Sequence, residues 1–364
     1  MTFTRSNLET IVSDAEAENL LETLVGIESP SRSENKASQA LVHWMSEHGF
    51  ESYVDEVGNA VGIRGTGAKT IILLGHIDTF SGNPPVHIKD RLLYGRGSVD
   101  AKGPLCTFAV AAARAIIPKN YKVIVVGAVE EEVSSSKGAR HILSKYKADI
   151  CIIGEPSQWD RITIGYKGRL LMEWLWRGDM THSASNQDSP AEIAIAYWNQ
   201  IRQHIDSLNQ DFNSTFEKID LTLQHIETDI DGAYGLAKMI LGFRLPPSIN
   251  NISNLIQTLS PPLPVGATIR SYGFETAFES EQNSSLARYF RKSIRAHQGN
   301  PRFVKKTGTS DMNIVGPVWE CPILAYGPGD SSLDHTPNEH LNLDEYQQAI
   351  KVLTSVIECY QDED

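Results

Sequence analysis

Thr70-Ile71-Ile72-Leu73-Leu74-Gly75-His76-Ile77-Asp78 is the stretch on which the fold turns. It is a short, unbroken apolar run that ends at a glycine, an imidazole and a carboxylate, and it reads as a buried strand. Lys122 to Val126 and Asp149 to Ile153 read the same way, the first leading to Glu130-Glu131-Glu132 and the second to Gly154-Glu155. Ahead of them, Ala15 to Val25 and Glu34 to His48 read as amphipathic helices. This alternation predicts an α/β fold with a mainly parallel sheet flanked by helices.

Around Gly165 the pattern changes. Leu170 to Trp176, Lys218 to Gln224 and Ala267 to Phe274 read as strands, and Ser189-Pro190-Ala191-Glu192 is a capping box that opens a helix. From about Asn283 the first pattern returns, with a helix over Ser284 to His297, an extended Cys321 to Ala325 and a closing helix over Leu343 to Gln361. A chain of 364 residues exceeds one ordinary core and suits two domains. We therefore expect a catalytic domain over residues 1–164 and 281–364, split by an inserted α+β domain over residues 165–280.

An apolar fraction of 41% with 21% charged residues is that of a packed globular chain. No stretch approaches a membrane span and the N-terminal residues do not read as a signal peptide, so a cytoplasmic protein is expected. Cys106, Cys151, Cys321 and Cys359 lie far apart, without the paired spacing of zinc knuckles or redox motifs, and are expected to be free thiols. A net charge of −12 argues against nucleic acid as a partner. The exception is local. Arg288, Arg291, Lys292, Arg295, Arg302, Lys305 and Lys306 follow one another without an acidic residue, either as a solvated helix face or as a dock for an acidic partner.

In open α/β sheets, ligands bind beyond the carboxyl ends of the strands. Three strands here deliver acid or imidazole to that rim, and so many carboxylates cannot all stay ionised without a cation. Divalent metal is the simplest answer. Histidine and carboxylate ligands without cysteine suit hydrolytic zinc, and cobalt or manganese fits the same set. His76 and Asp78 point the same way on an extended backbone, so Asp78 is expected to hold the imidazole's second nitrogen; an Asx-capped turn would also place a His-x-Asp pair there.

Together with Gly95-Arg96-Gly97-Ser98-Val99-Asp100-Ala101-Lys102-Gly103, Glu131-Glu132 and Gly154-Glu155-Pro156-Ser157, these residues resemble the co-catalytic dizinc amidohydrolase and aminoacylase family, which includes succinyl-diaminopimelate desuccinylase, acetylornithine deacetylase and carboxypeptidase G-like enzymes. The resemblance extends from the first helix through His335 to the closing helix. It implies two divalent metal ions, zinc with cobalt as the alternative. His76 and Glu155 would complete one site, Glu132 and His335 the other, and Asp100, followed by a cis peptide to Ala101, would bridge them. It also implies Glu131 as the general base that takes a proton from the attacking water and passes it to the leaving amine. The register stays open at this point. The spacing from Glu132 to Gly138 places the base at Glu131, but Glu130 and Glu131 could instead be base and ligand.

In the insert, Gly178-Asp179-Met180-Thr181-His182-Ser183-Ala184 resembles the segment whose histidine reaches, often from a partner subunit, to the oxyanion; this implies a catalytic His182 and a homodimer formed through the insert, which would serve for dimerisation and as a lid. Taken alone, His182 reads as a surface histidine. Arg244 in Phe243-Arg244-Leu245-Pro246-Pro247 matches the arginine for a substrate carboxylate. Thr309 and Ser310 in Thr307-Gly308-Thr309-Ser310-Asp311-Met312-Asn313, with Gly327 and Gly329, match loops lining the substrate cleft, where ordinary turn chemistry is the alternative.

Within the family, Glu130 to Arg140, Ile164 to Gly168, Lys306 to Asn313 and above all Tyr326 to His340 resemble the hydrolases that free lysine or ornithine from the LysW amino-group carrier protein, the acetyl-lysine deacetylase group. That carrier is acidic, which gives the basic segment a purpose. A small-molecule deacylase of acetylornithine or succinyl-diaminopimelate type would use the same metal chemistry and is the alternative. A non-catalytic binding homologue would betray itself by a missing ligand or base, and here every expected position is filled.

Overall fold

The computed structural model describes residues 12–179, 187–249, 251 and 254–360. The chain divides into two compact units, Met1–Ile164 with Ser280–Val304 and Ser310–Asp364, and Gly165–Glu279 with Lys305–Thr309. The first stretch carries α1 (Asp14–Gly26), α2 (Asn35–Glu47), β1 (Glu51–Val54), β2 (Ala60–Arg64), β3 (Lys69–His76), β4 (His87–Lys89), β5 (Leu92–Tyr94), α3 (Lys102–Arg114), β6 (Tyr121–Ala128), α4 (Lys137–Lys145), β7 (Ile150–Gly154) and β8 (Arg161–Tyr166). The chain passes into the second unit within β8. There follow β9 (Gly168–Asp179), α5 (Pro190–Leu208), β10 (Asp220–Asp231), β11 (Tyr234–Leu245), α6 (Leu255–Leu259), β12 (Ala267–Glu275) and β13 (Phe278–Glu279). The last stretch holds α7 (Ser285–Ala296), β14 (Arg302–Lys306), α8 (Met312–Trp319), β15 (Ile323–Ala325), β16 (His340–Asn342) and α9 (Leu343–Cys359).

The central sheet of the first unit runs β1-β2-β6-β3-β7-β15-β8. Its middle strands, β6, β3, β7 and β15, are parallel, and β1, β2 and β8 pair antiparallel at the edges, so the sheet is mixed but mostly parallel. Ile71 to Leu74 and Val123 to Val126 are buried at every position, not at alternate ones, which is why these strands read as continuous apolar runs. Helix α3 packs on β3 and β6, and α9 packs on α3. Close approach of α3 depends on glycine. A Cβ on Gly154 would lie 3.0 Å from the Phe108 ring and 3.0 Å from the Cα of Gly75.

The second unit is built on an antiparallel sheet in the order β10-β11-β9-β12. Leu170, Met172 and Trp174 alternate onto one face of β9 and form a core with Ile201 and Tyr197 of α5 and Met239 and Leu241 of β11. Strand β11 falls outside the strands expected from sequence, because Gly235, Ala237, Lys238 and Gly242 dilute its apolar pattern. Helix α5 begins as its capping box dictates, with Ser189 Oγ accepting from Glu192 N at 3.3 Å and the Glu192 carboxylate accepting from Ser189 N at 2.8 Å. Replacing Ser189 by Ala is expected to cost about 1 kcal/mol. Urea unfolding would check this, with an unchanged midpoint counting against the cap.

Candidate metal centre

Register in the parallel sheet assembles the centre. Gly75 lies opposite Gly154 and His76 opposite Ala128, so the residues leaving β3, β6 and β7 emerge side by side at the carboxyl ends. His76 closes β3, Glu155 follows β7, Asp100 lies one residue ahead of α3, before its N-cap Ala101, and His335 lies in the loop before β16. His76, Asp100 and Glu155 form one group of donor atoms, and Asp100, Glu132 and His335 form another, all donors within each group lying within 4.8 Å of one another. Asp100 belongs to both groups by geometry. Its Oδ1 faces His76 Nε2 at 3.2 Å and its Oδ2 faces His335 Nε2 at 3.1 Å, while His335 Nε2 lies 3.0 Å from Glu132 Oε1. The Asp100–Ala101 peptide is cis.

The backbone separates the three consecutive glutamates. Glu130 has φ +59°, in the left-handed region that interrupts the alternation of an extended chain. Its carboxylate turns to Ser135 Oγ at 2.6 Å and to Lys137 Nζ at 3.9 Å. Glu132 instead joins Asp100 and His335, and Glu131 Oε2 lies 4.0 Å from His76 Nε2.

Asp78 faces the second imidazole nitrogen through its backbone carbonyl and, at longer range, its carboxylate. His76 Nδ1 lies 2.9 Å from the backbone carbonyl of Asp78 and 3.6 Å from its Oδ1, so the tautomer with hydrogen on Nδ1 donates to the carbonyl and leaves the Nε2 lone pair for a metal. The Asp78 carboxylate is fully buried and accepts from Glu131 N at 3.0 Å, Glu132 N at 3.1 Å and Ser31 Oγ at 2.7 Å. It therefore holds the loop that carries both acids.

Electrostatics bear on what the cluster can hold. Burial, together with the carboxylates of Glu155, Asp311 and Glu132, pushes Glu131 well above the usual carboxylate range against the pull of His76. Burial and Asp100 raise Glu155 likewise. Hydrogen bonds to Asp100 and Glu132 push the His335 imidazole up to about 10. A set of buried carboxylates facing two imidazoles favours positive charge among them. Neutral imidazole and paired carboxylates without sulfur are what hard or borderline dications favour, so the residues fit two such ions.

Of the other residues singled out from sequence, Arg244 and Thr309 lie in the second unit, where an Arg244 guanidinium nitrogen donates to Thr309 Oγ1. Ser310 is buried in the first unit, where its Oγ accepts from Met312 N and its N–H donates to Asn313 Oδ1. Gly327 and Gly329 brace the loop after Glu155 by accepting from Ser157 N and Gln158 N. No side chain fits at Gly327, where a Cβ would lie 2.9 Å from the Glu155 carbonyl oxygen. His182 lies outside the described residues. Sequence reading gave no role to Arg96, Glu339 or Phe80, whose ring stacks on His335 with centroids 4.5 Å apart.

Residues 72–358 match the model of the Peptidase family M20/M25/M40. The chain belongs to this family. A [LysW]-lysine hydrolase of Deinococcus radiodurans is 41% identical over 348 residues, spanning 94% of this chain and 96% of that protein. A putative [LysW]-lysine/[LysW]-ornithine hydrolase of Thermococcus kodakarensis is also 41% identical, over 96% of this chain and 93% of that one. Among solved structures, an M20 family metallo-carboxypeptidase of Sulfolobus solfataricus superposes with a TM-score of 0.74 at 18% identity, covering 94% of this chain and 98% of the other. The M20 chain described here is therefore a hydrolase of linear amides with the fold of that family. Its four cysteines are free. Among the described residues no helix is long and apolar enough to cross a membrane.

Proposed function

We propose that this chain hydrolyses the amide that joins lysine or ornithine to a LysW-type amino-group carrier protein. Two observations carry the reading together: the two donor groups share Asp100 with Glu131 beside them, and relatives that carry this activity in their names are 41% identical over nearly the whole chain. His76, Asp100 and Glu155 would hold one ion and Asp100, Glu132 and His335 the other, zinc with cobalt as the alternative. When bound, the pair would supply Lewis acidity that makes water a better nucleophile and polarises the amide carbonyl. Glu131 takes the proton from the attacking water on its carboxylate and returns it to the departing amine nitrogen.

His182 donates to the developing oxyanion and Arg244 pairs with the substrate carboxylate, with Thr309, Ser310, Gly327 and Gly329 shaping the cleft. The unit around β9 to β12 is the dimerisation and lid domain of a cytoplasmic homodimer. The carrier docks on α7, where Arg288, Lys292 and Arg295 are exposed, while Arg291 lies over the Phe303 ring.

Reversing charge at Lys292 and Arg295 together is expected to raise KM for carrier-linked lysine roughly 3–10-fold at low salt and to leave kcat unchanged, since exposed pairs contribute about 0.2–1 kcal/mol each. Steady-state kinetics at two ionic strengths would check it, and unchanged KM at low salt would remove α7 as the dock. The reading as a whole is tested by comparing carrier-linked lysine with free Nα-acetyl-lysine and Nα-acetyl-ornithine. A large preference for the carrier supports it; equal rates would favour a small-molecule deacylase.

A further inference from the structure

Arg96 and Glu339 form a buried ion pair at 2.6 Å, 243 residues apart in sequence. Neither touches the donor atoms, yet each is bonded to backbone that carries them. Glu339 Oε1 accepts from Val99 N at 3.0 Å and from Asp100 N at 3.1 Å, and its Oε2 takes Arg96. Arg96 in turn donates to the carbonyl of His335 and to that of Thr336, both at 3.3 Å. A backbone bond from Gly95 N to the Glu339 carbonyl, at 3.1 Å, joins the same two segments.

We propose that Arg96 and Glu339 are a positioning pair that fixes the Asp100 and His335 segments against each other and thereby sets the affinity of one metal site more than the other. The asymmetry follows from what holds each donor. In the group His76, Asp100 and Glu155, two donors sit at the ends of central strands and only Asp100 leans on the ion pair. In the group Asp100, Glu132 and His335, two of three donors lean on it. Partners that orient metal ligands typically change affinity by about 10–100-fold when lost. That loss should fall on the second group. The inference rests on the assignment of Asp100 and His335 as ligands.

The test is stepwise titration of chelator-stripped protein with Co2+ alone, followed by its visible absorption, for wild type, Glu339→Gln, Arg96→Lys and the remote core variant Leu353→Ala. Wild type should take up two equivalents. Glu339→Gln keeps the shape of the side chain but not its charge, and should weaken one of the two equivalents about 10–100-fold with a clearly smaller effect on the other. Arg96→Lys keeps the charge facing Glu339 but loses the fork that reaches the His335 carbonyl, and should weaken only one of the two equivalents; it carries the test if Glu339→Gln fails to fold. Leu353→Ala, destabilised in the core of α9, should leave both steps unchanged. Equal weakening of both equivalents, no weakening, or the same pattern in Leu353→Ala would overturn the positioning role. Fewer than two equivalents in wild type would instead overturn the ligand assignment beneath it.

Discussion

Glu131→Gln is expected to lower kcat by about 10²–10⁴-fold while the protein keeps its metal, because the amide retains the shape of the side chain and loses only the ability to accept a proton. The carboxylate belongs to neither donor group, lies 4.0 Å from His76 and has its backbone N–H bound to Asp78 Oδ1 at 3.0 Å. Gln should preserve that backbone bond, so a rate loss cannot be assigned to the loop. Glu130→Gln gives the contrast. Its carboxylate turns to Ser135 and Lys137, and its loss should change kcat less than a few-fold. Metal content and kcat measured on both variants would decide the register of the glutamate run, and a large kcat loss confined to Glu130→Gln would reverse it.

Asp100→Ala should have an effect of similar size by a different route. One carboxylate presents one oxygen to each imidazole, so its removal takes a donor from both groups at once. Both ions are expected to bind at least 10-fold more weakly, and kcat to fall by 10³-fold or more at stoichiometric metal; these are order-of-magnitude expectations for the loss of ligands that hold catalytic metal. Glu132→Ala removes a donor from one group only and should spare one of the two equivalents. Co2+ titration of the two variants separates a shared ligand from a private one, and identical behaviour would argue against bridging.

How much of this was legible in the sequence depends on the range of the interactions. The runs Ile71 to Leu74 and Val123 to Val126 announced parallel strands because burial on both faces leaves no polar positions. The Ser189 cap was legible because all its partners lie within three residues. Strand β11 was not, since its register is set by β9 and β10 and not by its own diluted pattern. The donor residues were readable as a motif, but the order within Glu130-Glu131-Glu132 was left open, because it depends on a positive φ at Glu130 and on the two N–H groups that Asp78 accepts. Asp78 faces the imidazole through its carbonyl at 2.9 Å, with its Oδ1 at 3.6 Å, a division that the His-x-Asp spacing alone does not contain. Arg96 and Glu339 lie inside the motifs Gly95 to Gly103 and Tyr326 to His340, but neither motif shows that they meet. Their meaning lies in a contact across the chain, which a motif on either side does not contain.

The most direct test is to purify the protein, count metal per chain, and follow lysine release from carrier-linked lysine by wild type and Glu131→Gln side by side. Two ions per chain in both proteins, with rapid release by wild type and release lowered at least 100-fold in the variant, is the expected result. Full activity in metal-free protein, or in Glu131→Gln, would contradict it.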